Sequence, residues 1–369
     1  MTRVVFGAMT GTSMDGLDVA AIQWASDRPP RLLGLESDGL GEVGAILSRL
    51  ATGQACSASE IGRAAQAFAE SHIQCMQRLA ERVGPPDLIA VHGQTVFHQP
   101  PASWQLLNPW PIARAFLVPV VSDLRGLDLA SAGQGAPITP LSDSIWFGDP
   151  QETRVVLNLG GFANATLLPA GADTDQVRGF DICACNHVLN HGAMLAIGEP
   201  FDRDGAMAQQ GKPSRALVER LIVPLRAQAS AGRSLGSVDD SSVKFETHGI
   251  EPADLLASAV EGVATVIAEV LAAHHPDRVI LAGGGARNVA LVEAIGRATA
   301  CEVVLSDSLG MPVEAREGAA IATLGALAAQ GKPITLPAVT GRAASTGMID
   351  GLWCLPRAMA DASGVWRRP

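Results

Sequence analysis

The chain has 369 residues and a mass of 38.2 kDa, enough for about two domains at roughly 100–200 residues each, which excludes a small module stapled by disulfides or a structural metal. Its 27 Lys and Arg against 37 Asp and Glu leave a net charge of −10 and a pI near 5.3. The average field therefore repels phosphate backbones and anionic headgroups, so neither nucleic acid nor a membrane surface is an expected partner, and an anionic substrate needs its own local cations or helix N-termini.

The first element is the apolar run Arg3 to Met9, entered without the basic segment, apolar stretch and cleavage site of a signal peptide, so the expected compartment is the cytoplasm. The turn Thr10-Gly-Thr-Ser separates it from a second run, Leu17 to Trp24, which predicts a hairpin; a third strand follows at Arg31–Glu36. Helical patterns at 41–50 and 59–83 lead through Pro85-Pro86 to a short strand, Leu88–Val91. The pattern then starts again: strands at Thr153–Leu159, Phe162–Leu168 and Val177–Asp181 precede a helix from Asn186. This is a repeat of pattern rather than of residues. The apolar stretch from Ala253 to His275 carries Glu261 and Glu269 eight apart on one face, the mark of an amphipathic core helix and not a membrane span. Asp277–Ala282 reads as a strand feeding Gly283-Gly-Gly285 and a helix near Asn288, and residues 331–346 read as ordered loop. The division is expected between Leu141 and Glu152, giving domains 1–145 and 146–369 with the tail free to return to the first, and a cleft between two α/β halves as the site. The six cysteines are too scattered for a secreted disulfide framework.

Chemistry concentrates in the turns. Gly11, Thr12, Ser13, Asp15, Gly16 and Asp18 combine small hydroxyls, backbone N–H groups and carboxylates in one hairpin turn. Such a turn holds terminal phosphates, and a carboxylate in it, here Asp15, can hold Mg²⁺, although the same residues also make ordinary turns. Asn158, Gly160 and Gly161 occupy the equivalent turn of the second half, and Gly283, Gly284 and Gly285 end a strand where backbone N–H groups meet an anion. His92, Gln94 and Thr95 follow a strand, at the end where α/β proteins bind ligands. Arg125 is the cation suited to a carboxylate or phosphate by bidentate contact, or else to a surface pair with Asp123 or Asp128.

The segments Gly11-Thr-Ser-Met-Asp-Gly-Leu-Asp18, His92-Gly-Gln-Thr95, Gly133-Gln-Gly-Ala-Pro137, Asn158-Leu-Gly-Gly161 with Asn164, Phe180-Asp181, Gly283-Gly-Gly-Ala-Arg-Asn288 and Leu336-Pro-Ala-Val-Thr-Gly341 stand in the order seen in anhydro-N-acetylmuramic acid kinases. The chain resembles that family up to about Gly351. The resemblance implies two pseudo-repeated ribonuclease H-like domains of the actin, Hsp70 and sugar-kinase type around a central cleft, with a homodimer as a possible assembly. It implies ATP- and Mg²⁺-dependent phosphorylation of an anhydro amino sugar, coupled to opening of its ring by water. On this resemblance Asp181 is the general base; His92, Gln94, Thr95, Arg125, Asn186 and Glu317 face the sugar; and the three glycine turns with Asn288 face the nucleotide. Taken alone, Asp181 could as well be a helix cap, and Glu317 an acid favoured in a first helical turn.

Between Asp181 and Asn186 the chain departs from the family: Ile182, Cys183, Ala184 and Cys185 replace Thr, Gly, Pro and a small residue. The stretch from Ala231 onward departs as well. A rival reading is therefore a sugar- or nucleotide-binding paralogue without turnover. The same departure sets Cys183, Cys185, His187 and His191 close in sequence, a spacing that could suit a soft metal but matches no standard zinc signature.

Overall fold

The computed structural model describes residues 2–11, 14, 16–231, 235, 249–343 and 347–357. The chain divides into two compact units, Met1–Trp146 with Glu314–Pro369, and Phe147–Val313.

The first unit opens on three antiparallel strands, β1 (Arg3–Thr10), β2 (Gly16–Ala25) and β3 (Arg28–Gly39), followed by helices α1 (Gly41–Ala51) and α2 (Ala58–Val83). Ser57 and Glu60 form a reciprocal capping box that starts α2, and its Phe68, His72, Cys75, Met76 and Leu79 recur at helical spacing on the buried face. Strand β4 (Leu88–Val91) lies parallel to β1. A separate hairpin of β5 (Gln94–Gln99) and β6 (Ala102–Leu106) follows, then α3 (Trp110–Phe116), β7 (Val120–Ser122), α4 (Gly126–Ala130) and α5 (Pro140–Phe147).

The second unit repeats the plan. Strands β8 (Arg154–Leu159), β9 (Phe162–Leu168) and β10 (Arg178–Ala184) are antiparallel and precede α6 (Asn186–Ile197), α7 (Arg215–Ala229) and α8 (Pro252–Ala272). Strand β11 (Arg278–Ala282), helix α9 (Val289–Ala298) and β12 (Glu302–Leu305) complete it, with β11 parallel to both β8 and β12. Helix α8 is long and apolar enough to cross a membrane, yet most of it is buried in the core of this unit. Glu261 and Glu269 leave its polar face to pair with Arg297 and Arg226.

From Glu314 the chain belongs to the first unit again, earlier than the 146–369 grouping read from the sequence. The reason is α10 (Ala315–Ala329), which packs on β1 and β2. Gly7 and Gly318 let the two backbones touch: a Cβ on Gly7 would fall 2.1 Å from the Gly318 carbonyl oxygen. Arg316 is buried and makes a two-pronged ion pair with Asp143 on α5, with Thr139 as a further acceptor at 3.1 Å. The loop beyond carries the short α11 (Pro337–Thr340) and the edge strand β13 (Leu352–Cys354). Buried Asp128 anchors it by accepting hydrogen bonds from Thr335 and Thr340 hydroxyls and from the Gly135 N–H at 2.6, 2.7 and 2.7 Å. Arg342 and Asp350 pair nearby at 3.1 Å, both buried.

The sheet orders are β13-β7-β4-β1-β2-β3 and β10-β9-β8-β11-β12. In both, three antiparallel strands are followed by two that run parallel to the first. The architecture is mixed α/β, with helices packed on sheets in which the parallel strand β4, Leu-Ile-Ala-Val, is apolar and buried along its whole length.

Candidate active site

In the second unit the polar residues line up across the sheet. Asn158 on β8 stands opposite Asn164 on β9, and Asn164 opposite Asp181 on β10, so the three side chains share one face. A bulge between Asp181 and Cys183 follows at once. It takes up Ile182 as the extra residue, so that Asp181 keeps its place in the row while the next residues turn into the core. Asp181 accepts a hydrogen bond from the Leu235 N–H at 2.8 Å.

Two glycine turns converge on this row. Gly283 has φ +81°, and a Cβ there would fall 2.7 Å from Asn158 Oδ1. Gly285 is as constrained, its absent Cβ 2.7 Å from Asn186 Oδ1 and 2.8 Å from the Leu159 side chain. Gly284 between them faces open space. The carbonyls of Gly160 and Gly161 accept from the N–H groups of Asn186 and Cys185 at 3.0 and 2.8 Å, and Asn186 Nδ2 donates to the Leu159 carbonyl at 3.1 Å. Asn288 sits at the start of α9, where its Oδ1 caps the Leu291 N–H at 3.0 Å.

The residues that depart from the family go to the core. Ile182, Cys183, Ala184 and Cys185 are all fully buried in one apolar cluster. Burial pushes the Cys185 thiol up to about 12 and the Cys183 thiol well above its ordinary value. Among the described residues no three His, Cys, Asp or Glu side chains are placed to hold a metal. The spacing Cys183, Cys185, His187, His191 therefore does not assemble a site. The thiols belong to an apolar cluster, and the His187 ring packs on Phe162 with centroids 5.0 Å apart.

In the first unit, Thr12, Ser13 and Asp15 of the hairpin turn lie outside the described residues. Gly11 and Gly16 flank the turn, and Asp18 on β2 accepts the hydroxyl of Ser37 on β3. Thr10 at the end of β1 donates its hydroxyl to Gln94 Oε1 at 2.6 Å, which ties β1 to the start of the β5–β6 hairpin. Glu317 is half-buried in the first turn of α10, beside the paired Arg316.

His92 is buried, with Nδ1 2.8 Å from the Gly93 carbonyl and Nε2 3.0 Å from Arg125 Nε. A carbonyl only accepts and Nε–H only donates, so this network assigns the proton to Nδ1 and leaves Nε2 as the acceptor. Burial, with the Arg125 charge beside it, lowers the pKa of His92 to about 3. Arg125 is thus oriented by a neutral imidazole and not by Asp123 or Asp128: Asp123 accepts from the Gly126 N–H, and Asp128 is committed to the C-terminal loop.

Thr95, His98, Ser103 and Gln105 form a polar row the sequence did not disclose. Simple alternation would put Thr95 and His98 on opposite faces of β5, but a register shift between Thr95 and Phe97 brings both to one side. Gln105 donates to the hydroxyls of Thr95 and Ser103, and His98 Nδ1 lies 2.9 Å from Ser103 Oγ. Phe97 and Trp104 pair on the other face and are exposed.

A protein-family model described as anhydro-N-acetylmuramic acid kinase matches residues 3–351. The chain is similar to the anhydro-N-acetylmuramic acid kinase of Paraburkholderia xenovorans (strain LB400), 35% identical over 363 residues, covering 92% of this chain and 95% of that protein. It is also similar to the proteins of that name from Burkholderia thailandensis, 34% identical with 92% and 95% covered, and Salinibacter ruber, 33% identical with 93% and 94% covered.

Proposed function

The chain belongs to the anhydro-N-acetylmuramic acid kinase family, and from that premise we propose how its residues share the reaction. The protein is a sugar kinase: ATP phosphorylates O6 of 1,6-anhydro-N-acetylmuramic acid while water opens the anhydro ring, giving N-acetylmuramic acid 6-phosphate and ADP. Its place is in the recycling of cell-wall sugars in the cytoplasm. Its two units, alike in strand order and direction, are read as ribonuclease H-like domains of the sugar-kinase and actin type.

The observation that carries the catalytic assignment is the row Asn158, Asn164, Asp181, which sets one carboxylate in line with the glycine turns at 160–161 and 283–285. Asp181 takes a proton from water; the oxygen of that water bonds to the anomeric carbon, whose bond to O6 breaks; O6 takes the γ-phosphoryl group and ADP leaves. Bare backbone at Gly284 suits close approach of the nucleotide's phosphates. Asn186 ties the 160–161 turn through the Leu159 carbonyl, Asn158 packs closely against Gly283, and Asn288 starts the helix that follows.

His92, Gln94, Thr95 and Arg125 take the sugar. The guanidinium, held through its Nε by His92, is the partner for the lactyl carboxylate. Asn186 and Glu317 complete the proposed sugar contacts. Mg²⁺ prefers oxygen ligands, keeps several waters and binds through one or two carboxylates plus phosphates. Partly exposed Asp18 fits that demand, and Asp15 is its proposed companion. The ion supplies neutralisation of charge on the phosphates.

The test is product analysis by mass spectrometry after incubation with ATP, Mg²⁺, the anhydrosugar and ¹⁸O-water. A phosphorylated sugar with the label at the anomeric oxygen is expected; unlabelled product would remove water, and with it the role of Asp181, from the mechanism.

A further inference from the structure

The β5–β6 hairpin carries an imidazole that the family motifs quoted above leave without a task. His98 is half-buried, and its Nδ1 lies 2.9 Å from Ser103 Oγ. The Ser103 hydroxyl donates its hydrogen to the Phe97 carbonyl at 3.2 Å and accepts from Gln105 Nε2 at 2.7 Å. Assigning that single hydrogen to the Phe97 carbonyl, which can only accept, leaves Ser103 Oγ a lone pair for His98 and assigns the His98 proton to Nδ1. The Nε2 lone pair is then an acceptor, buried from solvent and without a hydrogen-bond partner. Burial and the nearby charge of Arg125 hold the ring neutral, with its pKa lowered to about 4.

An unpaired buried acceptor costs stability unless a ligand completes it. The missing partner has to be a donor, and it has to lie close to Arg125. An anhydro amino sugar presents hydroxyl and acetamido N–H donors within a few ångströms of its carboxylate. We propose that His98 is a substrate-binding residue whose Nε2 accepts a hydrogen bond from a hydroxyl or the acetamido N–H of the sugar, beside the carboxylate held by Arg125. The inference rests on the assignment of Arg125 and the His92–Thr95 segment to the sugar. It adds a neutral, acceptor-only contact that selects for a donor on the substrate.

Two variants separate this from a packing role. His98→Phe keeps the ring and removes the acceptor; His98→Gln returns an oxygen near the Nε2 position. The expected result is a rise of about tenfold or more in KM for the anhydrosugar in His98→Phe, with KM for ATP within about twofold and partial recovery in His98→Gln. In the wild type, the His98 Nε2 ¹⁵N resonance shifts on adding anhydrosugar and not on adding ATP alone. An unchanged sugar KM in His98→Phe, or an unmoved resonance in a protein that turns the sugar over, overturns the role of His98 and leaves the sugar assignment of Arg125 standing. A sugar KM unaffected by both His98→Phe and Arg125→Ala in an active enzyme removes the sugar from this hairpin altogether.

Discussion

Arg125 donates its Nε–H to His92 Nε2 at 3.0 Å, while the other ring nitrogen of His92 donates to the Gly93 carbonyl at 2.8 Å. A neutral imidazole thus aims a guanidinium, accepting at Nε without bringing a negative charge of its own to the pair.

His92→Phe removes the acceptor that orients Arg125. The expected outcome is a rise of about tenfold or more in KM for the anhydrosugar, the cost of misdirecting a charged hydrogen bond, with KM for ATP little changed. His92→Gln, which can present an acceptor oxygen, recovers part of the loss. Because the pKa of His92 is near 3, protonation does not reach it between about pH 6 and 8, and sugar affinity shows no His92 titration there. Steady-state kinetics across that range check both statements.

Gly283 and Gly284 are adjacent but face different demands. At Gly283 an alanine meets φ +81° and a contact of 2.7 Å to Asn158, so Gly283→Ala is expected to lose about 1–3 kcal/mol of stability together with ATP binding. At Gly284 nothing lies within 4 Å of a new Cβ, so Gly284→Ala keeps the melting temperature. If the backbone there meets phosphate, Gly284→Ala raises KM for ATP several-fold in a fully folded protein. A variant with normal ATP kinetics would take the nucleotide away from this turn.

Asp181→Asn leaves an oxygen to accept from the Leu235 N–H and keeps the size of the side chain. It removes the base. The expected change is a fall in kcat of about 100-fold or more, the usual worth of a positioned general base, with binding of ATP and anhydrosugar measured by calorimetry within about twofold. Loss of binding in parallel with kcat would mean that Asp181 holds the site together and does not move a proton.

The strand and helix frame was legible because its signals are local. The apolar run before Thr10 and the glycine pair at 160–161 state their structure in a few neighbouring side chains. The sequence left the tail free to return to the first unit, but the point at which it returns was not legible, since it depends on Gly7 meeting Gly318 and on Arg316 finding Asp143, contacts between residues far apart in sequence. Arg125 was read as the useful cation, but its partner His92 lies 33 residues away and no spacing announces it. His98 stayed hidden for another reason: period-two alternation gives the wrong face when a bulge intervenes, and a bulge in β5 leaves only a faint trace in sequence. The residues 182–185 looked like damage to a site. Ile182 and the two thiols are apolar enough to join the core once the bulge turns them inward.

His72 gives the fold a measurable acid sensitivity. It is buried on α2, bonded through Nδ1 to the Phe68 carbonyl at 2.7 Å, and burial lowers its pKa to about 4. In the unfolded chain the same group titrates near 6.5, so below that pH the unfolded state binds the additional proton and stability falls as pH drops toward 4. At pH 5 the loss from this one residue is about 2 kcal/mol relative to pH 8. His72→Gln, which retains a donor for Phe68, is expected to shrink the difference in unfolding free energy between pH 8 and pH 5 by about that amount. Urea denaturation at the two pH values measures it, and an unchanged difference would show that His72 already takes up its proton in the folded protein.

Cys183 near the end of the strand that carries Asp181 and Cys185 just beyond it are both sealed in the apolar cluster of the second unit with raised thiol pKa values. A thiol that stays protonated and inaccessible neither attacks disulfides nor binds a soft metal. In the native protein, labelling by an aromatic disulfide is expected at Cys56 and Cys301, which are only partly buried, while Cys183 and Cys185 react after unfolding. Ile182→Thr, which restores the residue type of the family motif, places a hydroxyl in that cluster, where it costs about 1–3 kcal/mol if it finds no partner. Because Ile182 points into the core and Asp181 holds its register with Asn164, the same change is expected to leave kcat within about twofold. A large gain in kcat in Ile182→Thr would instead mean that the lost hydroxyl had been serving the reaction, and that this chain works below the capacity of its fold.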